Sequence, residues 1–214
     1  MPQEVVRVEI WSDVQCVWCY VGAARWRSAL ERFDGEVEIV HRSFELQPGA
    51  PVEFDAAEFL RSQRGMSARQ QEEAFAGMRR VLDAEGLRYE PQRMRPTNSH
   101  LALELLHLAD GLGLRGALED RLQEAYFADG GFIGSVDALV AFAAEVGVDP
   151  VAARAALEQG VFAAAVDADA AQAAVYGVTG VPFAVVDGTW GVPGAQAADV
   201  LVAVLERAAA TRAA

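Results

Sequence analysis

An α/β fold interrupted by an all-helical insertion is what the order of hydrophobic periodicities along this chain predicts. Three observations carry the prediction. The chain opens as strand, helix, strand. From about residue 55 to residue 177 the apolar positions recur almost wholly at helical spacing. The chain then returns to two short strands and a closing helix.

Residues 5–11 (VVRVEIW) are rich in β-branched residues and suit a buried strand. Ser12-Asp13 leads into Cys16-Val17-Trp18-Cys19, after which Trp26, Leu30 and Phe33 recur at helical spacing and Gly35 ends the run. Residues 36–43 (EVEIVHRS) read as a second strand, which leaves Cys16 where strand becomes helix. In the middle stretch, Asp55 with Glu58 and Ser67 with Gln70 have the spacing of capping boxes, and the helix after Ser67 stops near Gly86. Residues 91–96, rich in Pro and Arg, are a loop. Asn98 caps a helix ending near Gly111, and residues 114–127, 136–146 and 150–157 follow as helices. The last has Asp149 as its cap and Pro150 in its first turn. A final run over 161–176 ends at Gly177. Residues 183–186, an Asp187-Gly188 turn and 189–192 make a β-hairpin, and 197–209 form a helix with Val200, Leu201, Val204 and Leu205 on one face. The whole is a thioredoxin-like frame, residues 1–50 and 161–214, carrying a helical insertion domain, residues 51–160.

Composition narrows the chemistry. A chain of 214 residues with 52% hydrophobic and 23% charged residues buries a core without a disulfide or metal staple. Its net charge of −13 repels nucleic acid and anionic membranes, so neither is expected as a partner. All 18 cationic residues are Arg, which excludes a Schiff-base lysine, a P-loop lysine and a Ser–Lys dyad. No run approaches the roughly 18 apolar residues of a membrane span. Met1-Pro2-Gln3-Glu4 is not a basic region ahead of an apolar run, so the expected location is the cytoplasm. There a cysteine pair is catalytic or metal-binding more often than structural.

The C-x-x-C spacing puts both sulfurs near one helical turn. Unpaired amides and the dipole at a helix start favour negative charge on Cys16, and the thiolate is the reactive form of cysteine. Such a sulfur attacks a disulfide, and a second thiol resolves the mixed disulfide. Cys16 is then the nucleophile and Cys19, deeper in the helix, the resolving residue. Two other readings stand beside this one. A structural zinc site needs four ligands, and His41, His100 and His107 lie at no ligand spacing, so no metal is expected. Two inert cysteines packed as small apolar residues would be the bland alternative. Pro182 precedes a strand; the sequence leaves its peptide bond cis or trans.

The motifs together resemble the DsbA-like thioredoxin family, in its FrnE-like cytoplasmic branch. Relatives commonly show D-x-x-C-P-W-C-Y-x-G, and this chain has Asp13-Val14-Gln15-Cys16-Val17-Trp18-Cys19-Tyr20-Val21-Gly22. The likeness continues through residues 41–48 (HRSFELQP), Ala125-Tyr126-Phe127, residues 177–183 (GVTGVPF) and Gly194-Ala195-Gln196. The resemblance implies a cis bond before Pro182, edge hydrogen bonds from the Val181 backbone to an extended substrate, and a helical insertion that caps the site. Two positions depart from the pattern: Val17 stands where relatives have Pro, and Leu103 where they often have His.

The expected activity is that of a protein disulfide oxidoreductase or isomerase acting on thiol and disulfide substrates, protein or small-molecule. Its site is Cys16 and Cys19, with Trp18, Val181 and Pro182 binding substrate. No cofactor is expected, glutathione being a candidate redox partner; oligomeric state stays open. One alternative is a glutathione-dependent isomerase or transferase of the 2-hydroxychromene-2-carboxylate isomerase type, which usually carries Ser as nucleophile. Another is a non-enzymatic binding or holdase protein whose surface Trp18, Tyr20 and Phe183 line.

Overall fold

The computed structural model describes residues 5–53 and 65–212. In chain order its elements are β1 (Val6–Ser12), α1 (Val17–Arg32), β2 (Val37–Ser43), α2 (Ala68–Ala84), α3 (His100–Asp110), α4 (Arg115–Glu124), α5 (Val136–Glu145), α6 (Pro150–Glu158), α7 (Ala163–Val175), β3 (Phe183–Val186), β4 (Trp190–Pro193) and α8 (Ala198–Arg212). The chain divides into two compact units, Met1–Leu46 with Ala168–Ala214 and Gln47–Asp167.

The first unit is built on one sheet in the order β2-β1-β3-β4. β1 runs parallel to β2, with Ser12 opposite Ser43, and antiparallel to β3, with Trp11 opposite Phe183. The period of two along β1 sorts its side chains between the faces. Val6, Val8 and Ile10 join Ala184 and Val186 on one face, closed by Trp26 and Ala29 of α1 and Leu201, Leu205 and Ala208 of α8. Trp11 and Val185 fall on the other face, against Ala173 and Val178.

That second face also carries a polar clamp. Glu9 is buried and pairs with Arg7 and Arg42, and the Arg42 guanidinium reaches the Asp169 carboxylate of α7 at 3.0 Å. Asp169 Oδ2 accepts from Ser43 N at 2.8 Å, while its carbonyl accepts from Trp11 Nε1 at 3.0 Å. Burial alone pushes the Glu9 carboxyl up, but the hydrogen bonds and charges of Arg42 and Arg7 outweigh it and hold the group below the usual carboxylate range. Removing one partner from such a buried set costs about 3–5 kcal/mol, because it strands a charge.

In the second unit two cap signals hold and one is corrected: the N-cap of α3 is Ser99, without a side-chain cap bond, and Asn98 Oδ1 accepts from His100 N at 2.8 Å one residue ahead of it. Ser67 Oγ accepts from Gln70 N, and the Gln70 side chain returns to Ser67 N at 2.9 Å. Asp149 caps α6 through Val151 N and Ala152 N. The pair Asp55 and Glu58 lies outside the described residues. Three further expectations are corrected in detail. The run over 114–127 is not one α-helix, since α4 gives way to a π-turn over Ala125–Asp129, which Gly130 ends at φ 74°. Gly35 does not end α1, which stops at Arg32 with Phe33 as its C-cap, and a Cβ on Gly35 would meet the Phe33 ring at 2.5 Å. The closing helix runs on to Arg212, whose guanidinium pairs with Asp187 and donates to the Val5 carbonyl.

Candidate active site

The loop from β1 to α1 is ordered by a buried carboxylate. Asp13 is 1% exposed, and its Oδ1 accepts from Gln15 N at 3.0 Å while Oδ2 accepts from Leu46 N at 2.8 Å. Its carbonyl accepts from Cys16 N at 3.0 Å. These bonds fix the chain just ahead of the cysteines. The D-x-x-C pattern hinted at Asp13, but its partner Leu46 is 33 residues away and left no mark in the sequence.

Cys16 is the N-cap residue of α1, extended at φ −85° and ψ 109°, and its sulfur accepts from Cys19 N at 3.3 Å. An N-cap acceptor takes up one of the amides that a helix start leaves without a partner. Here that acceptor is sulfur, which shares the Cys19 amide with the Cys16 carbonyl at 2.9 Å, so the helix offers part of an N–H and the positive end of its dipole to a group able to carry negative charge. Both cysteines are free thiols, Cys16 6% and Cys19 2% exposed. Burial pushes the Cys19 thiol well above its ordinary range. Its hydrogen bond with Cys16, the Cys16 charge and the Asp13 charge act the same way, against one opposing backbone contact at Asp13. The inner sulfur therefore holds its proton.

The second wall of the site is the segment before β3. The Val181–Pro182 bond is cis. The Cys16 S–H donates to the Val181 carbonyl, with sulfur and oxygen 3.4 Å apart. Pro182 O accepts from Gly194 N at 2.8 Å. The Pro182 ring lies against α1 at Gly22, where an added Cβ would stand 3.1 Å from Pro182 Cγ. Gly22 is thus needed for close approach, a role its place in the C-Y-x-G motif does not reveal by itself.

The structure therefore brings Cys16, Cys19, Val181 and Pro182 to one place. Trp18 stands apart from that cluster, turned outward from the first turn of α1 and 43% exposed. Two of the three histidines are occupied elsewhere: His100 Nε2 is 3.6 Å from Glu104 Oε1, and the His107 ring stacks on Phe162. Among the described residues no group of three or more His, Cys, Asp or Glu side chains is placed to hold a metal ion. Among them, too, no helix is long and apolar enough to cross a membrane.

Residues 7–206 match the family model of the DSBA-like thioredoxin domain. The probable DsbA oxidoreductase SCO1869 from Streptomyces coelicolor is 39% identical, with 95% of this chain and 89% of that one covered at a TM-score of 0.90. The cytosolic disulfide reductase DsbM from Pseudomonas aeruginosa covers 97% of this chain and 100% of its own at 19% identity and a TM-score of 0.68. A 2-hydroxychromene-2-carboxylate isomerase covers 97% and 98% at 15% identity and a TM-score of 0.70. The last two likenesses are of fold.

Proposed function

This chain belongs to the DSBA-like thioredoxin domain family, and from that premise we propose that it is a protein thiol–disulfide oxidoreductase in which Cys16 attacks and Cys19 resolves. The observation that carries the reading is the asymmetry of the two sulfurs. One sits at the helix mouth and accepts an amide N–H; the other lies in the first turn, almost fully buried and held protonated.

The chemistry follows from that order. Cys16, as thiolate, attacks one sulfur of a substrate disulfide and forms a mixed disulfide, and the other substrate sulfur leaves as a thiolate and takes a proton. Cys19 then gives up its proton and attacks Cys16. The Cys16–Cys19 bond forms and the second substrate thiol departs, so two electrons have passed to the substrate. Run backwards, the same steps oxidise a dithiol. The Val181 backbone, beside Cys16, is the edge on which an extended substrate segment lies. Trp18 offers an exposed aromatic surface on the same helix turn for its apolar side chains. No resident cofactor is called for; glutathione serves as a small thiol partner of the couple, and the cytoplasm as its compartment. The isomerase alternative leaves a second cysteine, buried one turn behind the first, without a task.

The test is equilibration against glutathione buffers, with alkylation and mass measurement reporting the redox state. The expected result is a two-electron transition between dithiol and Cys16–Cys19 disulfide, absent from Cys16→Ser and Cys19→Ser. A pair that stays reduced under every buffer would dispose of the reading.

A further inference from the structure

We propose that the Cys16 thiol gates substrate docking, releasing the Val181 carbonyl to an extended peptide only in the forms of Cys16 that can react. The inference rests on the redox reading above and deepens it by tying substrate affinity to the state of one sulfur.

The starting point is the bond from Cys16 S–H to Val181 O, 3.4 Å between sulfur and oxygen. A sulfhydryl is a weak donor, yet it takes up the carbonyl on the side that faces the reacting sulfur. A peptide must bring its own sulfur to Cys16 Sγ, and its backbone beside that sulfur approaches the same side of the same oxygen. The peptide N–H and the Cys16 S–H therefore compete for one acceptor. Among the described residues no other group donates to that carbonyl.

The two reactive forms of Cys16 carry no S–H. In the disulfide the hydrogen is replaced by Cys19 Sγ, and in the thiolate it is gone. Both leave the carbonyl to the peptide. The protonated dithiol, which is the finished product of an oxidising turn, takes the acceptor back. In that turn a peptide thiolate attacks Cys16 Sγ, the Cys16–Cys19 bond breaks, and Cys19 leaves with the electron pair and accepts a proton. The second peptide thiolate attacks the peptide sulfur of the mixed disulfide, and Cys16 leaves with the pair and accepts a proton. Two electrons and two protons have then moved from peptide dithiol to enzyme dithiol. The last proton is the one lying between Cys16 Sγ and Val181 O, so completing the chemistry supplies the competitor that loosens the product. In the reducing direction the incoming disulfide meets a Cys16 thiolate, which has no proton to donate. Coupling of this kind is reciprocal, so a docked peptide also favours the forms of Cys16 without a proton.

The test uses the full chain and a probe unable to exchange: insulin B chain with both cysteines carbamidomethylated. Its affinity is measured by calorimetric titration for three forms, the oxidised protein, the Cys16→Ala/Cys19→Ala variant and the Cys16→Ser/Cys19→Ala variant. The serine hydroxyl keeps a donor beside Val181 O; the other two forms have none. The oxidised and alanine forms should bind about three- to tenfold more tightly than the serine form, the worth of one neutral hydrogen bond. Equal affinities in all three, immeasurably weak binding included, would overturn the gate. Failure of the redox reading shows separately, as a missing transition in the glutathione titration.

Discussion

Helices α1 and α6 begin in the same backbone conformation and put it to opposite uses. Asp149 caps α6 at φ −60° and ψ 119°, its carboxylate accepting from Val151 N at 3.3 Å and Ala152 N at 3.2 Å. Cys16 caps α1 at φ −85° and ψ 109°, its sulfur accepting from Cys19 N at 3.3 Å. Oxygen caps satisfy the orphan amides and hold the helix; Ser67 and Ser135 do the same for α2 and α5. Sulfur is a weak acceptor and does little for the helix. At α1 the service runs the other way, from amide and dipole to the side chain. A residue that chemistry demands stands where stability alone would choose Ser or Asp.

The sharpest way to separate these uses is Cys16→Ser, which restores an oxygen cap and deletes the nucleophile. Insulin reduction should fall by on the order of 10³-fold or more, as for loss of other catalytic nucleophiles. The melting temperature should hold or rise, since Ser is a preferred N-cap. A variant that lost activity only because it unfolded would show the opposite in the melt, and Cys16 would then be a packing residue.

Gly22→Ala probes the other wall of the α1 mouth. The new methyl would stand 3.1 Å from Pro182 Cγ, on a ring that cannot swing aside, so the segment carrying Val181 must shift away from Cys16. Overpacking of this kind costs about 1–3 kcal/mol, offset by about 1 kcal/mol of helix propensity gained over Gly. Stability therefore falls by about 0–2 kcal/mol, while kcat/KM for insulin reduction falls roughly tenfold, a shift of about 1.4 kcal/mol in the barrier. Unchanged kinetics would mean that the Val181 edge plays no part in the reaction.

The inner sulfur gives a pH signature. Because burial holds the Cys19 thiol above its ordinary range, the folded chain keeps a proton there that the unfolded chain loses from about pH 8.5 upward. The stability supplied by neutral Cys19 is full below that pH and drains away as pH rises toward the folded value. Urea midpoints of the reduced protein should decline between pH 8 and 10 more steeply than those of Cys19→Ala. Parallel slopes would mean that Cys19 ionises equally well in both states.

What the sequence made legible was what local spacing controls. The β-α-β opening, the helix start at Cys16, the Ser67–Gln70 box and the Asp149-Pro150 start each depend on residues within one turn. The features it hid depend on residues far apart. Asp169 meets Arg42 across 127 positions, and Asp13 meets Leu46 across 33. The π-turn at Ala125–Asp129 sits in an unbroken helical pattern, where periodicity cannot register one extra residue per turn. The Asp187-Gly188 turn was legible, since both residues take positive φ, 53° and 64°. Gly22 stood in a motif, but only the fold puts Pro182 against it.

The smallest effect returns to α6. Asp149→Ala removes the acceptor for Val151 N and Ala152 N and should cost about 1 kcal/mol of stability, with redox kinetics unchanged. Asp149→Ser should recover most of that loss, because a hydroxyl still reaches one amide. Asp149→Cys is the informative variant: it builds at α6 the sulfur cap that α1 carries, with no partner thiol one turn inward. It should be no more stable than the alanine form, and its thiol, once alkylated, should leave the glutathione titration of Cys16 and Cys19 unaltered. Full rescue of stability by cysteine would show that sulfur caps as well as oxygen does. The cost assigned to Cys16 at the head of α1 would then vanish, and with it the contrast between the two helix starts.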